Sequence, residues 1–172
     1  MLAHSALAQD KPAQPTPPEV WKDYDPDAGD FKEEIISEET KDGIYYKDSY
    51  ISAYVNGEEV RVFCKYAVKA GAKNVPGLLN IHGWFAPTRL DMDLVNDGWA
   101  VLAYDYCGKR PDRPHYTKYP KALIYGNMDQ AAANPEGYQP LDPNKITKPS
   151  QTADYLWYAL QRRALSYFLA QK

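Results

Sequence analysis

Two short apolar runs, residues 77–81 and 99–104, constrain the fold of this chain more than any other feature. They read Gly-Leu-Leu-Asn-Ile and Trp-Ala-Val-Leu-Ala-Tyr. Runs that are apolar at nearly every position are typical of strands covered on both faces in a parallel sheet. Between them, residues 89–96 can form a short helix that Asp97-Gly98 would end. The pattern predicts a strand–helix–strand unit with a right-handed crossover.

A β-hairpin is predicted before this unit. Residues 50–55 and 58–68 flank Asn56-Gly57, a dipeptide that favours a type I′ turn because both central positions need positive φ. Apolar residues alternate along the second arm, as expected for a strand with one buried face. A shorter strand is expected to start at Ile35-Ile36. The alternating apolar positions are Val60, Val62, Cys64, Tyr66 and Val68.

The last third of the chain predicts a long loop and then a helix. Residues 106–150 are rich in Pro and Gly, and a loop of this length is usually functional or poorly ordered. Ser150 or Thr152 is expected to cap a helix that reaches about residue 170, with an apolar stripe facing the sheet. Arg162 and Arg163 are expected to be merely solvated. The predicted fold is therefore three-layer α/β, with the antiparallel hairpin at one edge of the sheet.

The N-terminus suggests export. Ala6-Leu7-Ala8 fits the small-x-small pattern of a signal-peptidase site, so residues 1–8 are interpreted as a signal-peptide remnant. An ordinary Ala-rich terminus is the alternative. Residues 9–30 are expected to form a Pro-rich linker whose prolines prevent regular structure, with the folded domain in residues 31–172. The predicted location is periplasmic or secreted.

Composition excludes some partners and leaves others open. The net charge is -3 and no basic stripe is present, which argues against nucleic acid. No apolar run is long enough to span a membrane. Cys64 and Cys107 match neither a zinc spacing nor a redox pair, and we expect buried thiols rather than a disulfide. The 15 Tyr suit either amphipathic ligands such as sugars or half-buried strand positions.

The residues with most chemical interest follow the first apolar strand. His82 and Gly83 leave that strand, and the backbone amide of Trp84 can then point at an oxygen that turns negative during acyl transfer. In this interpretation His82 holds the loop by hydrogen bonds, and Gly83 allows a sharp turn. An ordinary turn is the simpler alternative. Trp84 and Phe85 either line an acyl pocket or pack beneath the loop.

Three further residues are interpreted less specifically. Asp105 ends the second apolar strand and is expected to accept hydrogen bonds from loop amides, rather than serve as a catalytic acid. Tyr106 and His115 are candidate substrate contacts near the mouth of the site. For His115, a plain loop histidine is the alternative.

Residues 76–83, 98–106 and 151–165 resemble the acetyl xylan esterase and dienelactone hydrolase group of α/β-hydrolases. The resemblance covers roughly residues 35–172. It implies a serine esterase that acts on a small ester or an acetylated carbohydrate, and it implies neither a metal nor an organic cofactor. In this fold part of the oxyanion hole follows an early strand, where His82 and Gly83 lie here.

The chain departs from that family at the catalytic residues. The family's nucleophile is a Ser in Gly-x-Ser-x-Gly, after the strand that follows the last helix predicted here. None of the chain's serines has such flanking glycines, and all three histidines precede that position. We therefore expect the N-terminal part of a hydrolase that is inactive by itself. The alternatives are part of a prolyl-oligopeptidase-type peptidase and a non-catalytic carbohydrate-binding domain.

The export interpretation predicts a defined mature terminus. Cleavage after Ala8 would leave Gln9 as the first residue of the protein in its native cells. Mass spectrometry of the N-terminal peptide measures this directly. Recovery of intact Met1 from a cytoplasmic fraction would contradict export.

Overall fold

A mixed sheet is the centre of the described structure, a computed structural model that describes residues 14–83, 86–123 and 146–171. Its strands are β1 (Glu34–Lys41), β2 (Ile44–Val55), β3 (Glu58–Lys69), β4 (Gly77–Ile81) and β5 (Ala100–Tyr104). They lie in the order β1-β2-β3-β5-β4. The helices are α1 (Pro17–Trp21), α2 (Met92–Asn96) and α3 (Ala153–Leu169), with 3₁₀ turns at Lys121–Leu123 and Pro149–Gln151. The fold is therefore mixed α/β, as predicted.

The predicted hairpin is confirmed. β2 and β3 pair antiparallel along their whole lengths, and the turn residues Asn56 and Gly57 have φ of 52° and 81°. β2 is longer than expected because its first half also pairs with β1. Asp42 and Gly43 make a second turn of this kind, with φ of 52° and 75°, between β1 and β2. Three consecutive strands are thus joined by two tight turns.

The predicted strand–helix–strand unit is also present. β4 and β5 pair in parallel, from Gly77 opposite Ala100 to Ile81 opposite Tyr104. α2 begins later than expected because the Asp91 carboxylate caps it, accepting the Leu94 N–H at 3.2 Å. Every residue of β5 is buried, as predicted. The expectation of full burial was wrong for β4, because that strand lies at the edge of the sheet and is only partly covered.

Helices cover both faces of the sheet. α3 packs on one face, where Leu156 and Leu160 belong to the same buried cluster as Val62 and Leu102. α2 packs on the other, with Val95 among the buried neighbours of Val101. The predicted cap of α3 is confirmed, since the Thr152 hydroxyl accepts the Tyr155 N–H at 3.2 Å. Among the described residues, no helix has the length and apolarity needed to cross a bilayer.

The N-terminal segment departs from the expected linker. The prediction that its prolines prevent regular structure was wrong for Pro17–Trp21, which form α1. Proline is tolerated in the first turn of a helix because the N–H groups there have no helical acceptor. Trp21 then stacks on Tyr155 of α3, with ring centroids 4.5 Å apart. This part of the segment therefore packs on the fold, while residues 1–8 lie outside the described residues.

The expectation that Arg163 is solvated was also wrong. Its side chain is not solvated, because the residue is only 1% exposed. Its three guanidinium nitrogens donate to the carbonyls of Ser52, Pro26 and Gly29, each at 2.8 Å. One side chain thus joins α3 to β2 and to the N-terminal segment. Arg162, beside it, lies over the Trp21 ring at 4.9 Å from the centroid.

These contacts predict unequal effects of two matched substitutions. Arg163→Met would leave three carbonyls without their charged donor, and we expect it to lower the free energy of unfolding by about 3–5 kcal/mol. Arg162→Met removes only cation–π contacts, with the Trp21 and Tyr24 rings, and should cost about 1–2 kcal/mol at most. Urea unfolding followed by circular dichroism compares the two. If Arg163→Met lowers the free energy of unfolding no more than Arg162→Met does, the Arg163 contacts are not stabilising.

Candidate functional site

The carboxyl ends of β4 and β5 bring two predicted residues together. His82 follows β4 and Asp105 follows β5, and because the strands are parallel their ends lie at the same edge of the sheet. His82 Nε2 lies 3.4 Å from Asp105 Oδ1. The His82 ring stacks on Tyr106 at a centroid distance of 4.5 Å and an interplanar angle of 8°. His82 is 9% exposed and Asp105 1%, so the pair is largely shielded from water.

The Asp105 carboxylate organises the loop that follows it. It accepts the backbone N–H groups of Cys107 at 3.3 Å, Gly108 at 3.2 Å and Thr117 at 2.7 Å. Arg113 Nη1 lies 3.6 Å from the same carboxylate. The prediction that Asp105 binds loop amides is confirmed. A buried charge is stable here because donors surround it.

Thr117 connects that loop to the sheet. Its hydroxyl donates to the Asp105 carbonyl at 2.6 Å and accepts the Phe63 N–H at 3.1 Å. The Asp105 N–H in turn donates to the Phe63 carbonyl at 2.9 Å. The backbone around Asp105 is therefore fixed to β3 from both sides.

His82 is held by the loop that leaves β4. Its Nδ1 lies 2.9 Å from the Gly83 carbonyl, which also accepts the Ala86 N–H at 3.0 Å. A carbonyl oxygen can only accept, so Nδ1 carries the proton of this hydrogen bond. His82 thus makes a hydrogen bond within the loop, as the sequence interpretation expected.

The conformational reason given for Gly83 was wrong. Its φ is not positive, and a Cβ built on it would meet no atom within 4 Å. The turn therefore does not require glycine for steric reasons. Trp84 and Phe85 lie outside the described residues, so the oxyanion amide and the acyl pocket stay predictions.

The two candidate substrate contacts occupy different places. Tyr106 lies between the His82 ring and Trp157 of α3, whose ring centroid is 5.2 Å away. The ring of His115 stacks on Phe63 at 5.6 Å and meets Tyr50 edge-on at 6.4 Å. His115 therefore packs on the hairpin strands, and its role as a substrate contact stays a prediction.

A small surface cavity lies beside Tyr106. Its volume is about 260 Å³. A larger depression of about 880 Å³ lies along the N-terminal segment, away from the carboxyl ends of β4 and β5. The smaller cavity lies next to the candidate site. It is lined by Ile81, Tyr104, Tyr106, Asp154, Trp157, Tyr158 and Gln161.

Cys107 is the residue of this site that sequence reasoning missed. The spacing of Cys64 and Cys107 matches no zinc or redox motif, so the sequence alone does not single out Cys107. Cys64 and Cys107 are indeed buried and form no disulfide, as expected. However, the ligand atoms of His82, Asp105 and Cys107 all lie within 4.8 Å of one another. The available signal was that Cys107 follows Asp105 by two residues at the end of a strand beside that of His82.

Comparisons with known proteins found no matching family model, no matching curated protein and no matching solved structure. The structure itself supports a mixed α/β fold with a polar cluster at the carboxyl ends of its two parallel strands. Function is therefore argued from that cluster.

The buried carboxylate makes a specific stability prediction. Asp105→Asn keeps the shape but replaces one acceptor oxygen by an NH₂ donor facing backbone N–H groups, so we expect a loss of about 2–4 kcal/mol. Asp112→Asn, at a side chain that is 65% exposed, should change stability by no more than about 0.5 kcal/mol. Chemical denaturation of both variants tests this. A neutral Asp105→Asn would contradict the anchoring role of the charge.

Proposed function

We propose that this chain carries the oxyanion-binding part of an exported α/β-hydrolase that cleaves carboxylic esters. The observation that carries the proposal is the position of His82-Gly83. They leave the carboxyl end of a parallel strand, directly beside the carboxyl end of β5 and its Asp105. Sites in open parallel sheets form at this edge, and α/β-hydrolases build part of the oxyanion hole from a loop in this position.

The sheet order supports the same proposal. The antiparallel strands β1 to β3 lie on one side, and the parallel pair lies on the other with β4 outermost. Among the described strands, only β5 pairs with β4. A further parallel strand placed after α3 would pair with that open edge. The nucleophile turn at the end of that strand would then lie beside the carboxyl end of β4, where His82 lies.

The proposed chemistry is acyl transfer through a serine nucleophile. The serine oxygen attacks the ester carbonyl, an acyl-enzyme forms as the alcohol leaves, and water then releases the acid. The Trp84 amide would donate to the carbonyl oxygen as it gains charge. His82 would act as a positioning residue that holds this loop through the Gly83 carbonyl. The activity requires a Gly-x-Ser-x-Gly nucleophile and a later histidine, and neither is among the 172 residues.

An acetylated carbohydrate is the proposed substrate class. The cavity beside Tyr106 has aromatic walls formed by Tyr104, Trp157 and Tyr158. Aromatic rings offer flat apolar faces with polar edges, which suit the mixed surface of a sugar ring. A cavity of about 260 Å³ is at the small end of ligand sites, in keeping with an acyl group or one sugar unit.

The oxyanion assignment predicts the effect of removing one backbone N–H. Trp84→Pro deletes the proposed donor, and we expect kcat for a chromogenic acetate ester to fall by about 10²- to 10³-fold. Trp84→Ala is the matched control, since it also removes the indole ring but keeps the amide. The assay uses the native gene product purified from its own cells, with circular dichroism to check folding. Equal losses in the two variants would refute the donor role of the amide.

A second measurement tests whether the protein is a serine esterase at all. A fluorophosphonate probe should label one serine of the native protein, within a Gly-x-Ser-x-Gly peptide. The 172-residue chain expressed alone should show neither labelling nor ester hydrolysis above a heat-denatured control. Turnover by this chain that a substitution within it abolishes would contradict the proposal.

A further inference from the structure

We infer that His82, Asp105 and Cys107 form a binding site for a thiolate-preferring divalent cation, of which Zn²⁺ is the best match. The inference does not rest on the proposed ester hydrolysis, although His82 and Asp105 belong to both sites. One imidazole nitrogen, one carboxylate oxygen and one sulfur lie within 4.8 Å of one another. Those are the three donor types that Zn²⁺ binds in proteins.

The orientation of His82 is the first argument. Nδ1 donates to the Gly83 carbonyl, so in the neutral ring Nε2 presents a lone pair. That lone pair faces the Asp105 carboxylate, and Nε2 is buried without a hydrogen-bond partner. Two electron-rich atoms that face each other in a buried site repel, and a cation bound between them would turn that repulsion into attraction. Metal-binding histidines commonly fix their second nitrogen on a backbone carbonyl, as His82 does.

The Nε2–Oδ1 distance is longer than a charge-assisted hydrogen bond and matches the spacing of two metal ligands. A hydrogen bond from a protonated imidazole to a carboxylate would bring nitrogen and oxygen to about 2.7–2.9 Å. The observed separation of Nε2 and Oδ1 is 3.4 Å. Two ligands that each lie about 2.1 Å from a tetrahedral zinc ion are about 3.4 Å apart. The His82–Asp105 pair therefore has the spacing of two zinc ligands.

Cys107 supplies the donor that selects the metal. Its side chain is fully buried, and its backbone N–H is bound to the Asp105 carboxylate, which fixes the residue beside the pair. Zn²⁺ binds the thiolate, so the thiol proton is released to solvent on binding. A thiolate with an imidazole favours Zn²⁺ over the oxygen-preferring Mg²⁺ and Ca²⁺.

Neighbouring charge sets the expected strength of binding. Arg113 Nη1 lies 3.6 Å from the same Asp105 oxygen, and its positive charge opposes a divalent cation. Three amide N–H groups also compete for the carboxylate. We therefore expect weaker binding than at zinc sites with several thiolates. A bound ion would link the loop after β4 to the loop after β5.

Cobalt is the spectroscopic probe for this site. The 172-residue chain is dialysed against a chelator and titrated with Co²⁺, whose thiolate complexes absorb in the near ultraviolet. We expect this band to saturate at one equivalent of Co²⁺ and to disappear when Zn²⁺ is added. Mg²⁺ should not displace the cobalt.

The two cysteines provide a matched control. Cys107→Ser should abolish the band, whereas Cys64→Ser removes an equally buried thiol outside the three-residue group and should retain it. His82→Gln should raise the Kd for Co²⁺ at least tenfold. A band that persists in Cys107→Ser, or that disappears equally in Cys64→Ser, would overturn the inference.

X-ray absorption of the zinc-loaded wild-type chain tests the site without any substitution. One sulfur at about 2.3 Å and nitrogen or oxygen at about 2.0–2.2 Å would support the assignment. Zinc surrounded only by nitrogen and oxygen would overturn it, and so would the absence of stoichiometric binding. In either case the His82–Asp105 pair would be an ordinary structural contact.

Discussion

The antiparallel pairing of β3 with β5 holds the two halves of this structure together. Four residue pairs, from Cys64 opposite Tyr104 to Ala67 opposite Val101, join the hairpin strands to the parallel pair. The pairing continues past the end of β5, because Asp105 and Thr117 both bond the backbone of Phe63. The loop that carries Cys107 and Arg113 therefore begins from a rigid base. This connection fixes the β4–β5 pair, and with it His82 and Asp105, relative to the hairpin strands.

Much of the fold could be predicted from local sequence. Asn56-Gly57 specifies a turn by itself, since few other residues accept positive φ at two successive positions. Thr152 and the apolar stripe after it define α3 in the same local way. The exposure of β4 could not be predicted, because it depends on strand order rather than on the strand's own residues. Arg163 was misjudged because its acceptors lie more than 100 residues away in the chain.

The candidate site was only partly predictable. The neighbouring positions of His82 and Asp105 follow from a parallel pairing that the two apolar runs already indicated. The conformation of Gly83 did not follow, because a glycine in a loop is compatible with many φ values. Cys107 was missed because metal-binding patterns are usually sought along the chain, whereas these donors come from the ends of two different strands.

The packing of α1 changes how far anything attached to the N-terminus can reach. A flexible spacer over residues 9–30 would extend at most about 75 Å from the domain, since an extended chain spans about 3.5 Å per residue. Because α1 begins at Pro17, after its N-cap residue Thr16, and Trp21 stacks on Tyr155, a spacer that began at residue 9 would have residues 9–15 left to extend. Their maximum reach is about 25 Å. A tag, anchor or fused domain at residue 8 would therefore stay close to α3, and truncation at residue 31 would remove two of the carbonyls that hold the buried charge of Arg163.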